Sequence, residues 1–116
     1  TVTTGVDDTG VDVRVYSATA SEGLLYDASE DELGLLLTTK LKFHDIGGGE
    51  EIYASANGHL EVNAGTTLDI TAPTVDINAS TAVTVDATVI METDKKIQQR
   101  GAFMQSSTHQ ALTLGY

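Results

Sequence analysis

Leu60-Glu61-Val62-Asn63-Ala64, Leu68-Asp69-Ile70-Thr71-Ala72, Val75-Asp76-Ile77-Asn78-Ala79 and Val83-Thr84-Val85-Asp86-Ala87 are four versions of one phrase, followed by a looser Val89-Ile90-Met91-Glu92. Apolar and polar residues alternate within each phrase, the pattern of a β-strand with one face turned to a core. The closing alanines stand at 64, 72, 79 and 87, a period of 7–8 residues. Only Gly65-Thr66-Thr67, Pro73-Thr74, Ser80-Thr81 and Thr88 separate the phrases, and all are small, polar or turn-forming. Two-residue hairpin loops ask for positive φ, usually from Gly, Asn or Asp, and β-branched Thr is a poor source of it. The corners are therefore expected to bend the chain around an axis rather than reverse it, as in a β-helix or β-prism. Pro73 agrees, since proline is tolerated at a corner or strand start and not inside a ladder.

On this reading the core positions are Leu60, Val62, Leu68, Ile70, Val75, Ile77, Val83 and Val85. One chain supplies little more than a single turn of a three-sided solenoid, and repeat folds need several stacked turns before a continuous core exists. Three identical chains wound about a common axis would supply it, each giving one face per layer. The expected fold is all-β: an elongated, intertwined homotrimeric β-helix or β-prism of short strands, with an N-terminal β-hairpin region.

Composition leads the same way. Only 5% of the 116 residues are aromatic, and Trp and Cys are absent. A monomer of this size would usually need more large side chains, because small domains bury a limited share of their surface. Without Cys there are no disulfides and no thiolate chemistry. The net charge of −11 argues against binding to phosphate backbones, which takes clustered Lys and Arg; no nucleic-acid partner is expected. No run approaches the roughly 18 apolar residues of a membrane span, so no membrane partner is expected either. The N-terminus lacks the order of a signal peptide, and a chain that opens on Thr1 reads as a processed product or a fragment. Glu61, Asp69, Asp76 and Asp86 fall on the outward side of the alternation, as a soluble surface requires.

Upstream, Thr4-Gly5-Val6-Asp7 and Thr9-Gly10-Val11-Asp12 form a small duplication that reads as tight bends entering a strand over Val11–Tyr16. A loop of small residues follows, then a strand over Leu24-Leu25-Tyr26 and a polar turn over Asp27–Glu32. Leu33–Phe43 admits two readings. Ser29 and Glu32 could cap a short helix, but Gly34, the Thr38-Thr39 pair and the alternation Leu41-Lys42-Phe43-His44 favour strand. Gly47-Gly48-Gly49 reads as a flexible loop, Ile52, Ala54 and Ala56 as the next strand, and Asn57-Gly58 as a hairpin turn delivering the chain to Leu60. Near the C-terminus, Met104–Leu114 aligns without gaps to Ile52–Val62. The organisation expected is a β-hairpin cap over residues 1–39, a repeat stem over 40–92, and a partial repeat of 40–62 over 93–116 that serves as a cap or the start of another module.

Several of these pieces resemble segments of structural proteins of tailed bacteriophages. They are Gly5-Val6-Asp7-Asp8-Thr9-Gly10-Val11-Asp12-Val13, Leu24-Leu25-Tyr26-Asp27, Lys40-Leu41-Lys42-Phe43-His44-Asp45, Ile52–Gly58, Leu60-Glu61-Val62 and Thr71–Asn78. The ladder is similar to the trimeric β-helical needles and shafts of tail spikes and fibres. The resemblance spans most of the chain, on repetitive motifs, and the loop Gly47–Glu50 departs from it. It implies a non-enzymatic virion protein, a tail fibre, head fibre or capsid decoration located in the extracellular particle. The partners it implies are two further copies, other virion structural proteins and a host surface glycan. No catalytic residue carries over.

Candidate sites are few, and each has a plainer explanation. Asp7, Asp8 and Asp12 could gather calcium, although Asp-Gly clusters are common in bare turns. His44, His59 or His109 could form a metal ring on a threefold axis, although corner packing serves as well. His44-Asp45 suggests a dyad, but no nucleophile accompanies it. Paired carboxylates for glycoside hydrolysis need a cleft, and none is legible. Gly47-Gly48-Gly49 lacks the Lys-Ser/Thr of a phosphate loop. Tyr16, Tyr26, Tyr53, Phe43 and Phe103 could stack on sugars or pack between subunits. The expectation is no catalytic residue, no metal and no cofactor; the competing class is a receptor- or glycan-binding module, or a non-viral extracellular fibre or adhesin segment.

Overall fold

The computed structural model describes residues 1–95, whose regular structure is β-strand without helix. Six strands follow one another: β1 (Val13–Tyr16), β2 (Gly23–Asp27), β3 (Glu32–Leu36), β4 (Leu41–Lys42), β5 (Glu51–Ala56) and β6 (His59–Asn63). They form two antiparallel meanders, β1-β2-β3 and β4-β5-β6, each with its middle strand second in sequence. The chain divides into two units, Thr1–Val75 and Asp76–Tyr116, and both sheets belong to the first. The expected repeat beyond residue 95, including His109 and Phe103, lies outside the described residues.

Polar turns set the first sheet. The Ser17 hydroxyl accepts the Thr19 N–H at 3.1 Å, tightening the loop between β1 and β2. Between β2 and β3 the Asp27 carboxylate accepts from the Ser29 N–H at 3.0 Å, the Ser29 hydroxyl at 2.7 Å and the Glu30 N–H at 3.3 Å. That is an Asx-turn, in which a side chain does the work of a backbone carbonyl, and Asp31 closes it at φ 58°. The register sets Val13 opposite Tyr26 and Leu33, and Val15 opposite Leu24 and Leu35, so these six share one face. Leu33–Phe43 is therefore strand, turn and strand, not a helix capped by Ser29. The turn is made by Leu37 at φ 53° and by the Thr39 N–H donating to the Leu36 carbonyl at 3.1 Å.

The second sheet follows the same logic. Asn57-Gly58 is a hairpin turn, with positive φ on Gly58 (82°) and not on Asn57. Ala56 pairs with His59 and Ala54 with Leu60, so the register slips by one residue at Ser55. A bulge of this kind lets a strand pair meet a turn whose twist does not match its own.

Beyond β6 the chain stays extended. It bends at Gly65-Thr66, at Pro73, at Ser80-Thr81 and at Ala87, the corners expected from the repeat within a residue or two, and none of these bends makes a hairpin. The short strands expected between them do not form in the single chain: among the described residues after β6, the only backbone hydrogen bond is from the Lys95 N–H to the Glu92 carbonyl, at 3.0 Å. An alternating segment without a neighbouring strand has nothing to pair with.

Among the described residues no apolar side chain is buried. All eight core positions expected from the repeat are exposed in the single chain, from 50% at Val62 and Val75 to 69% at Leu60. Gly23 is one of the few buried residues; it holds φ 129°, and a Cβ there would lie 2.2 Å from the Val15 carbonyl oxygen. Its N–H donates to the Thr39 hydroxyl at 2.9 Å. Gly23→Ala is expected to cost at least the roughly 1–3 kcal/mol of a strained backbone position and to open the β1–β2 edge. The midpoint of denaturation followed by circular dichroism will fall; an unchanged midpoint would contradict the close approach.

Candidate functional site

The two faces of the second sheet are chemically opposite. Lys42 stands opposite Glu51, Glu51 opposite Asn63, and Tyr53 opposite Glu61, so these polar residues share one face. Leu41, Ile52 and Val62 lie in a row on the other, with Ala54 and Leu60 beside them. In an ordinary half-solvated sheet the apolar face is the buried one. Here the charged face holds the better-covered residue: Glu51 is 9% exposed, while Leu41, Leu60 and Val62 are exposed.

Glu51 is covered because its neighbours reach over it. Lys40 Nζ donates to Oε1 and Lys42 Nζ to Oε2, each at 2.8 Å, and Asn63 Nδ2 approaches Oε1 at 3.5 Å. Lys40 Nζ also sits 4.2 Å from the centre of the Tyr53 ring, close enough for cation–π attraction. The Tyr53 hydroxyl donates to Glu61 Oε2 at 3.2 Å, and Asn63 Nδ2 reaches the same oxygen at 3.3 Å. Lys42 additionally donates to the Gly48 carbonyl, tying the glycine loop to the sheet.

The electrostatics follow from these bonds. The Lys40 ammonium first, then that of Lys42, holds the Glu51 carboxyl down at about 2 against an ordinary 4.5, with burial opposing. The bond to Glu51 raises Lys40 in return. The Ser55 hydroxyl, then Asn63, lowers Glu61, while burial and the nearby Glu61 carboxylate raise Tyr53. A carboxylate held near 2 is neither a proton donor nor an effective base at neutral pH. The cluster braces β4, β5 and β6 against one another.

The residues singled out from the sequence are placed differently. Asp7 and Asp8 form the tip of a tight turn in which Val6 and Thr9 exchange backbone hydrogen bonds at 3.0 and 2.9 Å, with Asp8 at φ 62°. Asp12 is occupied elsewhere: its Oδ1 accepts the Ala28 N–H at 2.9 Å, clasping the N-terminal arm to the β2–β3 turn. Among the described residues no group of three or more His, Asp or Glu is placed to hold a metal ion. His44 and His59 are exposed, His44 in the loop after β4 and His59 at the first residue of β6. The Gly47–Gly49 loop faces carboxylates, since a Cβ at Gly48 would meet Asp45 Oδ1 at 2.7 Å and Glu50 Oε2 at 2.8 Å. Such surroundings repel phosphate.

Among the described residues the aromatic rings form no continuous row. Tyr16 is 81% exposed with the Arg14 guanidinium 4.9 Å from its centre, Tyr53 lies within the polar cluster, and Phe43 closes the far end of the second sheet. The Glu51 cluster escapes a motif search because its members come from three strands. Its trace is a period of two: Lys40 and Lys42, Glu51 and Tyr53, Glu61 and Asn63.

Comparison of the chain with protein-family models, curated proteins and solved structures finds no match.

Because the pKa of Glu51 is depressed on folding, its contribution to stability is present above about 4.5 and is lost as the pH falls toward 2. Acidification through that window is expected to weaken the second sheet, read as a falling denaturation midpoint. Glu51→Gln should lower the midpoint at pH 7 and flatten its dependence on acid; an unaltered acid profile would show that the two lysines do not clamp this carboxylate.

Proposed function

We propose that this chain is a non-enzymatic structural subunit that works as an intertwined homotrimer, forming a rigid fibre or a decoration on a virion. The observation that carries the reading is the absence of any buried apolar side chain among the described residues, in a chain whose repeat alternates apolar and polar residues so strictly. Ordering a residue costs roughly 1–2 kcal/mol of backbone entropy, and burying a Val, Leu or Ile side chain returns about 1.5–3 kcal/mol. A single copy gains little of that return. Three copies, each offering Leu68, Ile70, Val75, Ile77, Val83 and Val85 to a common axis, recover it layer by layer.

Backbone chemistry supports the same reading. The stretch from Ala64 to Met91 makes no backbone hydrogen bond among the described residues, and free strand edges are stable only when paired or hidden. The bends at Gly65-Thr66, Pro73, Ser80-Thr81 and Ala87 divide it into extended pieces of the length a three-sided winding needs. Neighbouring copies of the same stretch would complete the ladders and close the edges. The virion setting rests on the resemblance to tailed-phage fibre segments, and the role there is mechanical.

Light scattering on the purified chain is expected to give three times 12.2 kDa; a stable particle of 12.2 kDa in dilute buffer would overturn the reading. Ile77→Asp places a charge on the axis in every copy and should leave the chain monomeric. A heat-stable trimer of that variant would show that Ile77 does not face the axis. Mass spectrometry of purified particles of a tailed phage that encodes the chain is expected to find it among the structural components; its absence from the particles would overturn the virion setting.

A further inference from the structure

We infer that the apolar face of the second sheet is the wall of a three-sided prism, covered in the assembly by the same face of two further copies, with β5 as the strand nearest the axis. The inference rests on the trimeric reading above and names the surface by which the sheet region joins it. The face consists of Leu41, Ile52, Ala54, Leu60 and Val62, set in register across three strands.

The opposite face is unsuited to docking. Its hydrogen-bonding groups are spent on one another through Glu51, Lys40, Lys42, Tyr53, Glu61 and Asn63. Pulling that cluster away from water against a partner would desolvate charges for little return. The apolar face carries no such cost, and no described part of the chain lies across it fully enough to bury one of its side chains. Hollows of about 320 Å³ beside Ala54 and about 200 Å³ beside Ile52 and Val62 flank it.

Two observations select a copy of this chain over a foreign partner. The first is continuity: Leu60 and Val62 belong both to this face and to the apolar series that runs on through Leu68 and Ile70. Copies that meet along the repeat therefore bring their second sheets together at the same level. The second is charge. The chain carries −11 overall, yet all five positions of this face are uncharged. Around a threefold axis each residue meets its own image, so any charge here would face itself, and this face, like the apolar face of the first sheet, carries none.

Because β5 is the middle strand of the sheet, Ile52 and Ala54 lie at the centre of the wall and nearest their counterparts. The chain has no cysteine, so single-cysteine variants read this geometry directly. In the full-length assembled protein under mild oxidation, Ile52→Cys and the nearly isosteric Ala54→Cys should form covalent dimers, with one chain of each trimer left over. Tyr53→Cys, on the reverse face of the same strand, should cross-link about a thousandfold more slowly, the ratio of a millimolar effective concentration inside an assembly to micromolar protein in solution. If the unmodified chain scatters as a trimer but Ile52→Cys and Ala54→Cys react no faster than Tyr53→Cys, the wall assignment is overturned and the trimer stands. If the unmodified chain scatters as a single molecule, the trimer fails and the wall with it.

Discussion

A three-stranded sheet has two faces, and a short chain must find something to lay against the apolar one. Both sheets here carry such a face, Val13, Val15, Leu24, Tyr26, Leu33 and Leu35 on the first and Leu41, Ile52, Ala54, Leu60 and Val62 on the second. Neither is closed over within the described chain, which buries no apolar side chain at all. Small domains already sit close to the limit where burial fails to offset chain entropy. Everything else in this molecule follows from that shortage of internal cover.

What holds the strands together without a core is polar. Asp27 organises one hairpin by accepting from Ser29 and Glu30, and Asp12 fastens the N-terminal arm through Ala28. Glu51, gripped by two lysines, organises the second sheet. Exposed ion pairs add little to stability, but these bonds are shielded by Tyr53 and Asn63 and each fixes a register. They set the strands in place and leave the apolar side chains turned outward in an orderly array. A preformed apolar face loses less entropy when it meets its partner than a disordered one.

The repeat and the sheet then become parts of one surface. Leu60 and Val62 lie in β6 and open the series that continues, past the bend at Gly65-Thr66, through Leu68 and Ile70, so the apolar alternation passes from a paired strand into an unpaired one. A mechanical role suits this chemistry. The outer positions of the alternation are acidic, and the Lys40 and Lys42 ammoniums hold the Glu51 carboxyl ionised.

The all-β class, the strands up to β6 and the places where the chain bends were legible in the sequence, because period-two alternation and turn chemistry act over a few residues at a time. The further strands expected between Leu68 and Met91 do not form in the single chain, where they have no neighbour to pair with. Leu33–Leu36 resolved as a strand for the same local reason: its alternation matches β2, and Gly34 weakens the competing helix. The bends near Gly65, Pro73, Ser80 and Ala87 fell where Gly, Pro and Ser-Thr pairs marked them. The Glu51 cluster was not legible, since it brings together Lys40, Glu51, Tyr53 and Glu61, which become neighbours only after two hairpins have closed with a specific register. Nor was the job of Asp12, which looks like a cation ligand until the hairpin turn delivers the Ala28 N–H to it. Local pattern determines which residues alternate and where the chain bends; only tertiary register decides which alternating face is spent on its own hydrogen bonds and which is left exposed, because that choice depends on contacts between strands far apart in the chain.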